Sequence, residues 1–105
     1  MHDNQAKYAA EVLSAFGHPN RIRILECLRG AAHCNCELAP ALQLEQSNLS
    51  RHLKILVQAG LLISWKEGLR VIFKVADQRV YRILDLVKAL TTHEMRMKAE
   101  GLEQN

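Results

Sequence analysis

The stretch LEQSNLSRHLKILVQAG, residues 44–60, carries an apolar stripe and a polar face on one helix. Leu49, Leu53, Leu56 and Val57 recur at the spacing that gathers side chains on one side of an α-helix, and Gly60 closes the run. The positions between them, Gln46, Ser47, Asn48, Ser50, Arg51, His52 and Lys54, are expected on the outside. Asn and Gln can pair in bidentate fashion with adenine, Arg with guanine, and Ser reaches base edges or phosphate. They crowd into the N-terminal half of the helix, the half that a recognition helix presents to bases.

Working outward, Leu44-Glu45 makes a tight turn, and ELAPALQ before it fits a short helix. Residues 37–59 therefore read as a helix-turn-helix. On the C-terminal side the period changes from 3.6 to 2 over residues 61–76, where Leu69, Val71, Phe73 and Val75 alternate with Arg70, Ile72 and Lys74. Glu67-Gly68 lies mid-way, and glycine can take the positive φ of a tight hairpin. Lys66 and Arg70 flank that tip, placed to touch a phosphate or the adjacent minor groove.

Helical spacing frames this centre on both sides. Residues 5–16 place Tyr8, Ala9, Val12, Leu13 and Phe16 on one face, and Gly17-His18-Pro19 stops the run. Asn20 is the expected N-cap of a second helix, with Ile22, Leu25 and Leu28 inward and Gly30 as its stop. From residue 78 to about 98, Val80, Ile83, Leu84, Val87 and Leu90 return to helical spacing. The order is α-α-α-α-β-β-α, mainly helical with a β-hairpin, and residues 1–105 are read as one domain. The two outer amphipathic helices are natural candidates for a shared interface in a homodimer.

Composition narrows the function. No stretch approaches 18 consecutive apolar residues and the N-terminus does not resemble a signal peptide, so a soluble, cytoplasmic protein is expected. The three cysteines do not make an even disulfide set, and in a reducing compartment close-set cysteines point to metal or redox chemistry. A net charge of +3 permits a nucleic-acid partner. No acid pair, nucleophile-base pair or glycine-rich phosphate loop appears, and the five histidines are scattered, so an enzyme is not expected. A small dimeric interaction domain that binds no DNA is the alternative of another class.

SNLSRHLKILVQAGLL, followed by a hairpin ending in VIFKV and preceded by GHPNRIRILECL, resembles the arsenic-repressor (ArsR/SmtB) family of bacterial winged-helix regulators. The resemblance runs from about residue 8 to residue 90. It implies a winged helix-turn-helix whose helix from residue 47 to 58 reads the major groove of operator DNA. It also implies that the hairpin is the wing, that the first and last helices join two copies, and that an inducer releases the DNA.

Within AAHCNCELA, residues 31–39, Cys34-Asn35-Cys36-Glu37-Leu38 matches the C-x-C, acid and leucine that open the third helix of metal-sensing members. The resemblance nominates Cys34 and Cys36 as ligands of a thiophilic inducer, As(III), Sb(III), Cd, Pb or Zn, with no organic cofactor. Thiolates are soft ligands, and a helix N-terminus favours the thiolate. On a regular helix, residues two apart point about 200° apart, since each step turns roughly 100°. Chelation therefore implies an unwound first turn, which Pro40 eases by withholding a donor from the Cys36 carbonyl.

The third ligand is open, because Ala39 stands where arsenic-sensing relatives can carry a further cysteine. His33 and Cys27 are further candidate ligands; an exposed loop histidine and a small core residue are their plainer readings. The family's second metal site, on the last helix, is not expected here, because His93 and Glu94 lack a correctly spaced partner histidine. Redox sensing through a Cys34–Cys36 disulfide, closing a small and easily reduced ring, is the alternative signal; a structural pair is another.

Overall fold

The stripe of residues 46–58 lies at the centre of the core. In the computed structural model, which describes residues 1–104 and side-chain environments through Gly101, the chain forms eight elements. These are α1 (Asp3–Phe16), α2 (Pro19–Cys27), β1 (His33–Cys34), α3 (Asn35–Leu42), α4 (Gln46–Gln58), β2 (Leu62–Glu67), β3 (Arg70–Val75) and α5 (Arg79–Gln104). Leu49 and Leu56 of α4 are fully buried and Leu53 nearly so. They meet Ile24, Leu25 and Leu28, then Leu38 and Leu42 of α3, and Leu62, Phe73 and Val75 of the sheet. Full burial of each such side chain contributes about 1.5–3 kcal/mol.

This is a mainly helical fold with an antiparallel hairpin, a winged helix-turn-helix. It departs from the expected order in one element. The short strand β1 pairs antiparallel with β3, with His33 opposite Phe73 and Cys34 opposite Ile72, so the sheet runs β1-β3-β2. Two residues are too few to show a period. The third strand also explains why Ile72 is buried although alternation placed it outward: Cys34 and Trp65 flank it on the same face.

Several boundaries differ from the sequence reading for local reasons. The N-cap of α2 is His18 rather than Asn20: its Nδ1 accepts from the Asn20 N–H at 3.0 Å, leaving Pro19 in the first turn, where it needs no donor. In the hairpin Glu67 pairs with Arg70, so the turn residues are Gly68 and Leu69. Gly68 has φ +63°, and Leu69 is fully exposed instead of joining the inward set. α3 begins at Asn35, two residues earlier than expected, and ends on Gln43 with φ 56°. α5 runs past residue 98 to Gln104, and among the described residues its buried ones, Val80, Tyr81 and Leu84, lie at its start. There the Tyr81 hydroxyl donates to the Leu25 carbonyl at 3.2 Å, and Arg29 lies 4.4 Å from the Tyr81 ring centre.

Candidate nucleic-acid interface and thiol site

The outer face of α4 exposes Gln46, Ser47, Ser50, Arg51 and Lys54. Asn48 is half-buried, and its Oδ1 accepts from Arg51 Nη2 at 2.9 Å, so the guanidinium is partly pre-oriented. His52 is the correction: it is buried, 5% exposed, rather than outside. Positions 49, 52, 53 and 56 fall at i, i+3, i+4 and i+7, which places His52 on the inward stripe with the leucines.

The surroundings of His52 give it a partner set that the sequence reading missed. Arg21 Nη1 lies 3.2 Å from His52 Nδ1, and because arginine only donates, this nitrogen accepts and the ring proton sits on Nε2. The His18 ring is 4.4 Å away, tilted by 46°. Arg21 also donates from Nε to the Ala15 carbonyl at 2.7 Å and from Nη2 to the Ser14 carbonyl, capping the end of α1. Arg23 donates to the Leu42 carbonyl at 2.8 Å, closing the end of α3 where the chain turns into α4. Burial first, then the charges of His18, Arg21 and Arg51, push the His52 pKa down.

The two wing cations do not share a face. Lys66 stands opposite Val71, on the side of the sheet that carries Phe73, whereas Arg70 stands opposite Glu67 on the other side. Arg70 is already engaged: its Nη2 donates to Glu37 Oε1 at 3.2 Å.

At the thiol pair, Cys34 is fully buried in β1 and serves as the N-cap of α3 with extended φ −77° and ψ 160°, while Cys36 is exposed in the first turn. Their sulfurs are joined in a disulfide across a Cα–Cα separation of 5.1 Å. The expected need for an unwound helix is therefore corrected. Because Cys34 lies outside the helix, the sulfurs meet with α3 intact from Asn35.

Glu37 organises the same corner. Its Oε1 accepts from the Cys34 N–H at 3.0 Å, and its Oε2 lies 3.3 Å from His33 Nδ1. The Cys34 N–H, then His33 and Arg70, hold its carboxyl below the usual range. His33 is thus turned toward Glu37, and Cys27 is half-buried beside it, in a cleft of about 240 Å³ with Leu38 and Ala41. Among the described residues, with the sulfurs joined, no group of three His, Cys, Asp or Glu side chains is arranged to hold an ion. On α5, His93 is exposed and Asp85 pairs with Arg29 at 2.9 Å.

No described helix is long and apolar enough to cross a membrane. Residues 18–64 match the family described as bacterial regulatory protein, arsR family. An uncharacterised HTH-type transcriptional regulator of Methanocaldococcus jannaschii is 39% identical over 83 residues, covering 78% of this chain and 93% of that one. The HTH-type transcriptional repressor SmtB of Mycobacterium tuberculosis is 38% identical over 76 residues, covering 72% of this chain but 56% of its own length. The crystal structure of Rv0081 from M. tuberculosis superposes with a TM-score of 0.81 at 28% identity, covering 93% of this chain and 99% of that one. The chain belongs to the ArsR family of bacterial regulatory proteins, transcriptional regulators rather than enzymes.

Proposed function

We propose that the protein is a metal(loid)-responsive transcriptional repressor that binds operator DNA as a homodimer and releases it when a thiophilic ion engages Cys34 and Cys36. The observation that carries this reading is the position of the two sulfurs. They meet at the first turn of α3, the leading helix of the helix-turn-helix, and Cys34 also belongs to the strand paired with wing strand β3. A change at the sulfurs therefore acts on both DNA-reading elements.

The exposed Gln46, Ser47, Ser50, Arg51 and Lys54, with Asn48, read base edges and phosphates from the major groove, and Lys66 and Arg70 add wing contacts. His52 positions α4 from within. In reduced form the pair offers two soft ligands already within reach of each other, which fits a thiophilic ion. As(III), Sb(III), Cd, Pb or Zn supplies a soft Lewis acid for the two thiolates to share, and His33 and Cys27, which line one cleft, are the candidate further ligands.

Fluorescence anisotropy on a short duplex enriched from a random pool by the reduced protein tests this. The wild type loses affinity as As(III) or Cd is titrated, while Cys34→Ser and Cys36→Ser bind the duplex and do not respond. An ion that binds the wild type and leaves its DNA affinity unchanged refutes the reading.

A second reading is favoured by the disulfide itself. Here the two thiols give two protons and two electrons to hydrogen peroxide, which leaves as two waters, and the new S–S bond is the signal. A peroxide arm in the same assay separates the two: release by peroxide alone, with no effect of ions, selects the redox form.

A further inference from the structure

We propose that Glu37 is a positioning residue that carries the state of the Cys34/Cys36 pair to the wing by holding Arg70 away from DNA. The inference rests on the sensor reading above and names the route by which that site acts. Glu37 Oε1 accepts from both the Cys34 N–H at 3.0 Å and Arg70 Nη2 at 3.2 Å, so one carboxylate oxygen bridges the thiol pair and the wing. The second oxygen faces His33.

When the sulfurs are joined, as in this structure, Cys34 is fixed as the N-cap of α3 and its N–H points at Glu37. The carboxylate then stays over the first turn, within reach of Arg70. The Arg70 guanidinium that serves Glu37 is withdrawn from a phosphate oxygen. When the sulfurs are apart, Cys34 keeps its burial and its strand pairing but loses the covalent tie to the first turn of α3, so Glu37 is no longer fixed against its N–H and frees Arg70. The ion pair is half exposed on both sides, at 53% and 50%, and is weak for that reason. A weak clamp suits a switch, since a strong one would keep Arg70 from DNA in every state.

A plain capping role for Glu37 predicts a change in stability with no link to Arg70. The two are separated by measuring operator binding against salt in three preparations: reduced, reduced and loaded with Cd, and oxidised to the disulfide. Wild type, Glu37→Gln, Arg70→Gln and the double variant are compared on the enriched duplex. Joining the sulfurs by either means is expected to lower wild-type affinity about tenfold, the size of one charge-assisted hydrogen bond. The salt slope should fall by about one for each phosphate contact given up.

Glu37→Gln keeps affinity and slope when the sulfurs are joined. Arg70→Gln and the double variant bind alike in every preparation. A Glu37→Gln protein that loses as much affinity on joining as the wild type overturns the inference and leaves the sensor reading standing. A wild type indifferent to both Cd and the disulfide removes the sensor reading. Equal salt slopes for wild type and Glu37→Gln in the disulfide form then overturn the clamp as well.

Discussion

His52 shows how one side chain can be misplaced by its chemistry and correctly placed by its position. Histidine in a run of Ser, Arg and Lys looks solvent-facing, yet position 52 lies on the leucine stripe, and its ring rests between Arg21 and His18. The consequence is a pH dependence with a defined sign. The folded protein holds His52 below the ordinary value of about 6.5, so folding favours the neutral ring. That contribution is complete above about pH 6.5 and is lost as pH falls below it, because the unfolded chain takes up the proton first. The urea midpoint of the wild type should drop more between pH 7 and pH 5.5 than that of His52→Gln, which keeps an acceptor for Arg21 and cannot titrate. Parallel midpoints for the two proteins would exclude this role.

At the scale of elements, α4 divides its work between two faces, and substitutions should separate them. Leu53→Ala removes a side chain only 2% exposed and should lower unfolding free energy by about 2–5 kcal/mol. Arg51→Ala, on the exposed face, should leave thermal stability nearly unchanged and weaken specific binding by about 1–3 kcal/mol. Calorimetry and anisotropy on the same pair of proteins check both. The wing depends on its turn, since Gly68 at φ +63° adopts a backbone that costs an L-residue roughly 1–2 kcal/mol. No side-chain clash arises there, because nothing lies within 4 Å of the added carbon, so Gly68→Ala should show the backbone penalty alone in chemical denaturation.

At the scale of the whole molecule, the exposed apolar side chains concentrate on the outer helices. Leu86, Leu90, Met95 and Met97 of α5 and Tyr8 and Leu13 of α1 are each more than half exposed. Among the described residues of the 26-residue α5, only those of its first turns are anchored, through Val80, Tyr81 and Leu84 and the Arg29–Asp85 pair. Exposed apolar surface of this kind is what a partner subunit covers. Leu90→Glu should shift sedimentation from dimer to monomer. It should also weaken operator binding steeply, since a dimer engages two half-sites at once. A Leu90→Glu protein that still sediments as a dimer would place the interface elsewhere.

Much of this was legible in the linear chain because it follows from periodicity. The leucines of α4, the change to period 2 in the hairpin and the glycine at its turn are local facts, and local facts set secondary structure. The resemblance carried by SNLSRHLKILVQAGLL, the hairpin ending in VIFKV and GHPNRIRILECL pointed to the right family. What required the tertiary structure are relations between distant residues. The strand at His33–Cys34 exists because β3 offers it a pairing edge, and that pairing is what leaves Cys34 outside α3 beside Cys36. Arg21 meets His52 and Arg70 meets Glu37 across separations of 31 and 33 residues. No spacing rule reaches that far: periodicity determines which face of an element is apolar, and only packing decides which faces meet.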